Sequence, residues 1–300
     1  MITVLLQLIP VFAWFFLGMV LRRAGLADRS HGDFLLRLVF FVTLPMLILG
    51  SVSTMTFTVS KALLPFLNIG INLFCLVVTL LIARTRKLDR RVLGTMLVCT
   101  TIVNNSFMFP FILAVYGQEG FADAILFDFG NALMMATAIY ALAFSFSDEQ
   151  TNRWTMLKRI MKAPLVWSLI LSVFLSLTAT SLPERVTAVT NPLAQMTAPL
   201  ILIALGLHFS LKITQISLAL TTVATRMAVG LLCGFLLSMA FGLEGTTRNV
   251  VILCSSAPIG FNALTYCSLA KLDAELAASA VSISIFAGLI TIPALIMIIS

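Results

Sequence analysis

Charge is scarce in this 300-residue sequence. Asp, Glu, Lys and Arg together make up 10% of positions, where a soluble domain spends about 25% on charge. That shortfall excludes a cytosolic enzyme, a secreted domain and a disordered scaffold. Histidine occurs twice, and the five cysteines stand in apolar stretches with no C-x-x-C pair, so neither a metal site nor a disulfide framework is indicated. Paired carboxylates, serine-nucleophile motifs and cofactor fingerprints are missing too, which argues against an enzyme and against any bound cofactor. The net charge of +7 comes from residues dispersed among short loops, so it marks membrane topology rather than nucleic-acid binding. Ten-residue alternating strands are also lacking, which excludes a β-barrel.

What is abundant is apolar sequence, at 60% of positions. A helix needs about 20 residues to cross ~30 Å of hydrocarbon. Runs bounded by charge or turn residues predict ten such spans, at 2–22, 33–52, 62–83, 92–115, 122–146, 163–180, 192–210, 218–241, 248–268 and 275–299. The first run has its arginines after it, which reads as a span rather than a cleaved signal. Fifteen of the 19 basic residues fall in the loops after spans one, three, five, seven and nine, against Lys61, Arg185 and Arg248 on the other side. That asymmetry puts the basic loops in the cytoplasm and both termini outside.

The expected fold is an all-α integral membrane protein: a first five-helix repeat over 1–147, a cytoplasmic linker over 148–162 and a second repeat over 163–300. An odd number of spans per repeat inverts the second copy. Spans two and seven both carry a proline followed by a glycine, Pro45 with Gly50 and Pro199 with Gly206. An offset of 154 positions lays Asn104, Asn105 and Ser106 of span four over Pro258, Ile259 and Gly260 of span nine. Span four adds Pro110, and span nine adds Ser256 and Asn262. Paired broken helices in inverted repeats are a secondary-transporter signature. If the breaks cross at the bilayer centre, their unpaired amides and the Asn and Ser side chains converge on a pocket that favours an anion. The candidate substrate-binding residues are therefore Asn104, Asn105, Ser106, Pro110, Ser256, Pro258, Gly260 and Asn262.

A mid-membrane charge is costly and usually faces a cavity or a partner. Asp128 in span five, with Asn131 one turn along, is a candidate for ion coupling, the competing reading being a structural carboxylate. Arg226 in span eight is a candidate gate or substrate partner, or else a snorkelling side chain. Asn68 and Asn72, Ser168, Ser172 and Ser176, and the pair Gly230 and Gly234 read as helix contacts.

The run Asn104-Asn105-Ser106-Phe-Met-Phe-Pro110 and the block Ser256-Ala-Pro258-Ile-Gly260-Phe-Asn262 followed by Leu272-Asp273 resemble the auxin efflux carrier family, in its bacterial organic-acid permease branch. Asn105 best matches the family asparagine, although relatives often show Gly-Asn-Thr-Gly there. The resemblance implies ten helices in two inverted fives, with helices four and nine crossing in a transport domain. It also implies a scaffold of helices one, two, six and seven that can dimerise, and an elevator-like shift that carries a small organic anion across the bacterial inner membrane. A proton or sodium ion is the coupling partner in prospect, and lipid is the surrounding one. A sodium-coupled carrier of the bile-acid symporter kind is the alternative, with an anion channel behind it.

Overall fold

The computed structural model describes residues 2–56, 58–86, 88–146, 164–209 and 214–299. The expected linker at 148–162 lies outside the described residues. Within them the protein is all-α. The helices are α1 (Ile2–Arg23), α2 (Arg29–Val52), α3 (Val59–Arg86), α4 (Arg90–Thr101), α5 (Asn105–Ser145), α6 (Pro164–Leu177), α7 (Glu184–His208), α8 (Ile216–Ala240), α9 (Gly245–Ser255), α10 (Asn262–Leu269) and α11 (Ala274–Ile299). Turns of π-helix interrupt α2 at Val39–Thr43, α5 at Met135–Ile139 and α8 at Thr225–Val229.

Seven of these elements, α1, α2, α3, α5, α7, α8 and α11, are long and apolar enough to cross a membrane. The chain is thus a multi-pass membrane protein. Phe16, Phe66, Phe74, Phe174 and Ile290 are each more than half exposed, as lipid-facing side chains should be. Two expected spans are not continuous helices: α4 stops after 12 residues, and α9 after 11. The 41 residues of α5 would make a rod of ~60 Å at 1.5 Å per residue, twice the hydrocarbon thickness. Gly117 divides it, with φ 61° and ψ −152°, a conformation in which a Cβ is not tolerated.

The described residues form two compact units. One comprises those within 1–62, 106–125 and 158–209. In it α1 and α7 pack backbone against backbone, because a Cβ on Gly18 would stand 2.2 Å from the Ile203 carbonyl oxygen and one on Gly206 2.2 Å from that of Phe15. Lipid tails give no hydrophobic drive between helices, so such close small-residue contacts do the joining. The serines of α6 serve the same end: Ser172 donates to the Ile48 carbonyl at 3.4 Å and Ser176 to that of Met55 at 2.6 Å. The other unit comprises the described residues within 63–105, 126–157 and 210–300. It holds α3, α4, the second part of α5 and α8 to α11.

Candidate functional site

The two breaks of the second unit are paired with each other. After Thr101 the chain turns extended at Ile102 (φ −94°, ψ 113°) and resumes as helix at Asn105. After Ser255 it runs through Pro258 and resumes at Asn262. Val103 and Ile259 form an antiparallel bridge, in which the Asn104 amide donates to the Pro258 carbonyl at 2.8 Å and the Gly260 amide to that of Ile102 at 3.0 Å. Gly260 is required by this approach, since a Cβ would lie 2.8 Å from Ile102 Cγ2 and 3.1 Å from the Val103 oxygen.

A side chain further along the chain closes each break, from within α5 for the first and from α11 for the second. Asn131 accepts from the Val103 amide at 3.4 Å and donates to its carbonyl at 3.3 Å, while the Ser284 hydroxyl accepts from the Ile259 amide at 3.1 Å. These contacts correct the expectation that the breaks hold their peptide groups open toward a cargo. An unsatisfied amide in hydrocarbon costs several kcal/mol, so the chain supplies protein partners. The first break precedes Asn105, and Pro110 is buried inside α5, in the first unit with the half-buried Ser106.

Asp128 gathers the polar side chains. Its Oδ1 accepts from Asn105 Nδ2 at 2.8 Å and from Asn131 Nδ2 at 2.9 Å. Asn105 is 1% exposed, and its Oδ1 has no hydrogen-bond partner among the described residues. Asn104 is buried beside it. Ser256 turns its hydroxyl back to the Leu253 carbonyl at 2.8 Å, and Asn262 is exposed with its amide 3.9 Å from Met135 Sδ. The fold thus brings Asn104, Asn105, Asp128, Asn131, Pro258 and Gly260 together.

Arg226 does not snorkel. It is 1% exposed, on the π-turn of α8. Nη1 donates to Asn72 Oδ1 at 2.8 Å and to the Thr100 carbonyl at 3.3 Å, and Nη2 donates to the Ser255 carbonyl at 2.9 Å. It therefore serves the last turns of both α4 and α9, where carbonyls lack helical partners and the helix dipole is negative. Asn72 is held in turn by Asn68, whose Oδ1 accepts from Asn72 Nδ2 at 2.8 Å. Gly230 and Gly234 seat the end of α9: a Cβ on Gly230 would meet the Ser255 oxygen at 2.1 Å, and one on Gly234 the Ser255 Cβ at 2.5 Å.

Comparison with known proteins shows the family of the chain. The membrane transport protein family matches residues 3–296. The chain belongs to that family, the one that includes the auxin efflux carriers. It is 28% identical over 287 residues to an uncharacterized transporter of Methanocaldococcus jannaschii, covering 89% of this chain and 90% of the relative. It is 26% identical over 283 residues to an uncharacterized transporter of Methanothermobacter thermautotrophicus, covering 92% of each. These relatives are transporters, not enzymes.

For a membrane transport protein, the cavities of the first unit are of interest. A cleft of 820 Å³ is lined by Gln7, Trp14, Pro110, Gln118, Asn191 and Gln195 among others, with amides and hydroxyls but no charged side chain. A neighbouring cavity of 420 Å³ shares Thr54 and Gln118 with it and is lined by Lys61 and Glu119. Lys61, expected in an outer loop, is instead 8% exposed in the first turn of α3, 3.4 Å from the fully buried Asp123. Sequence reading missed these groups because single amides at the ends of apolar runs carry no spacing signal. The partner of Arg226 did have one: Asn72 lies 154 positions before it, the offset that superposes the two breaks.

Proposed function

We propose that the protein is a secondary carrier of a small organic anion, a mono- or dicarboxylate, moved by elevator-like alternating access around the crossover of α4–α5 with α9–α10. The observation that carries this reading is the division of charge at the crossover. Arg226 neutralises the negative ends of the half-helices, at Thr100 and Ser255. The positive ends, the N-termini of α5 at Asn105 and of α10 at Asn262, favour an anion. The Asp128 carboxylate holds the Asn105 amide. A cargo carboxylate competes for that amide, and protonation of Asp128 releases it, which makes Asp128 with Asn131 the coupling group. The cleft of 820 Å³ falls within the ~300–1,000 Å³ usual for small-molecule sites.

A ten-span, five-plus-five inverted repeat is the architecture proposed. Near a two-fold axis, residues meet their own counterparts. Asn104 and Pro258, superposed by the repeat offset, bond to each other, as do Asn72 and Arg226 at a separation of 154. The basic loops support a cytoplasmic side with both termini outside, in a bacterial inner membrane, and the apolar faces of α1, α2, α6 and α7 suit lipid or a second copy. The test is thermal unfolding of purified protein with a panel of mono- and dicarboxylates, followed by uptake in proteoliposomes. At least one carboxylate should stabilise the wild type by mass action and be transported, and Asn105→Ala should lose both responses while retaining folded yield. An absence of any carboxylate response, or wild-type transport by Asn105→Ala, removes the reading.

A further inference from the structure

We propose that Arg226 is the resident cation of the crossover: its guanidinium fills the place between two half-helix C-termini that a small monovalent metal ion would otherwise occupy, and its removal opens a cation site there. The inference goes beyond the carrier reading and does not depend on the cargo being an anion. Two half-helices ending inside a membrane bring two sets of unpaired carbonyls and two negative dipole ends into a region without water. In discontinuous transporter helices, such C-terminal ends and unwound carbonyls are where sodium ions or protons are held. Here the Thr100 carbonyl of α4 and the Ser255 carbonyl of α9 both accept from the one guanidinium, at 3.3 and 2.9 Å.

The surroundings are built for a fixed positive charge. Asn72 presents an oxygen rather than an amide, because Asn68 takes its Nδ2, and that oxygen lies 2.8 Å from Nη1. Cys75 Sγ lies 3.9 Å from the same nitrogen. Among the described residues no carboxylate pairs with Arg226, so the positive charge is met by carbonyl and amide dipoles and the Cys75 sulfur. The backbone of α8 is drawn against the Ser255 carbonyl by Gly230, which leaves no side chain between the guanidinium and the end of α9. Three oxygens from three helices, α3, α4 and α9, thus converge on one buried point. Hard cations take such oxygen sets. The chain supplies its own cation, which ties the two half-helix ends together.

The experiment is thermal unfolding of the purified full chain in sodium chloride, lithium chloride or choline chloride at constant ionic strength. The wild type should unfold at the same temperature in all three. Arg226→Ala should unfold several degrees lower in choline and regain much of the loss, saturably, with sodium or lithium. Arg226→Lys, which keeps one tethered charge, should remain indifferent to the salt. A saturable sodium response in the wild type overturns the proposal. So does a folded Arg226→Ala that ignores the cation, since a merely structural role predicts a lower melting temperature without ion dependence. Failure of both Arg226→Ala and the milder Arg226→Gln to give folded protein in sodium also overturns it, because the ion is expected to rescue them. Carboxylate stabilisation is read separately, so loss of the anion reading leaves this result standing.

Discussion

The two broken segments of the second unit have the same backbone solution and different chemistry. Each pairs with the other through the Val103–Ile259 bridge, each ends a half-helix on Arg226, and each has one amide satisfied by a side chain further along the chain. The first break is closed by Asn131, which also binds Asp128, and Asp128 in turn holds Asn105. The second is closed by the Ser284 hydroxyl alone. Crossing two half-helices in a membrane therefore demands backbone satisfaction at both breaks, whereas among the described residues a carboxylate is hydrogen-bonded into the first alone. The asymmetry separates what holds the crossover together from what the protein can switch.

Several substitutions would break or sharpen that contrast. The largest effect is expected for Gly230→Val, which drives a Cβ into the Ser255 carbonyl at 2.1 Å. Overpacking of this kind costs about 3 kcal/mol or more, and a loss of folded yield in detergent checks it. Next is Asn131→Ala, which strips partners from Val103 and from Asp128; about 2–3 kcal/mol for a buried donor and acceptor left unmade should appear as a lower melting temperature. Ser284→Ala removes a single acceptor from Ile259 and should cost about 1 kcal/mol, so equal losses at the two positions would remove the distinction between the breaks. The smallest stability change belongs to Asp128→Asn, which is nearly isosteric. Its expected signature is functional: pH dependence of uptake in proteoliposomes should disappear although the protein remains folded, and an unchanged pH profile would remove Asp128 from coupling.

Much of this was legible in the residues. The apolar runs, the all-helical class and the positions of the interruptions follow from hydrophobic length and from polar or proline residues in the middle of runs. Asn105, Asp128 and Asn131 were singled out as polar groups in apolar helices, and the structure brings those three into one hydrogen-bonded set. Pro110 marks no stop, because a proline in a run signals a lost amide without saying whether the helix ends there; it sits inside α5 while the chain opens ahead of Asn105. Arg226 was visible as an intramembrane charge and Asn72 stands at the repeat offset from it, but its other partners are the carbonyls of Thr100 and Ser255, which every residue possesses and no pattern can flag.

Amino-acid composition and order alone decided that this chain dissolves in lipid as helices and where those helices must be interrupted, because transfer of apolar surface and loss of backbone donors are local properties. Only the tertiary structure decided who satisfies the interrupted backbone. In a medium without water, each freed amide and carbonyl must find a protein group, and the side chains that serve stand on α5, α8 and α11, at least 25 positions away in sequence.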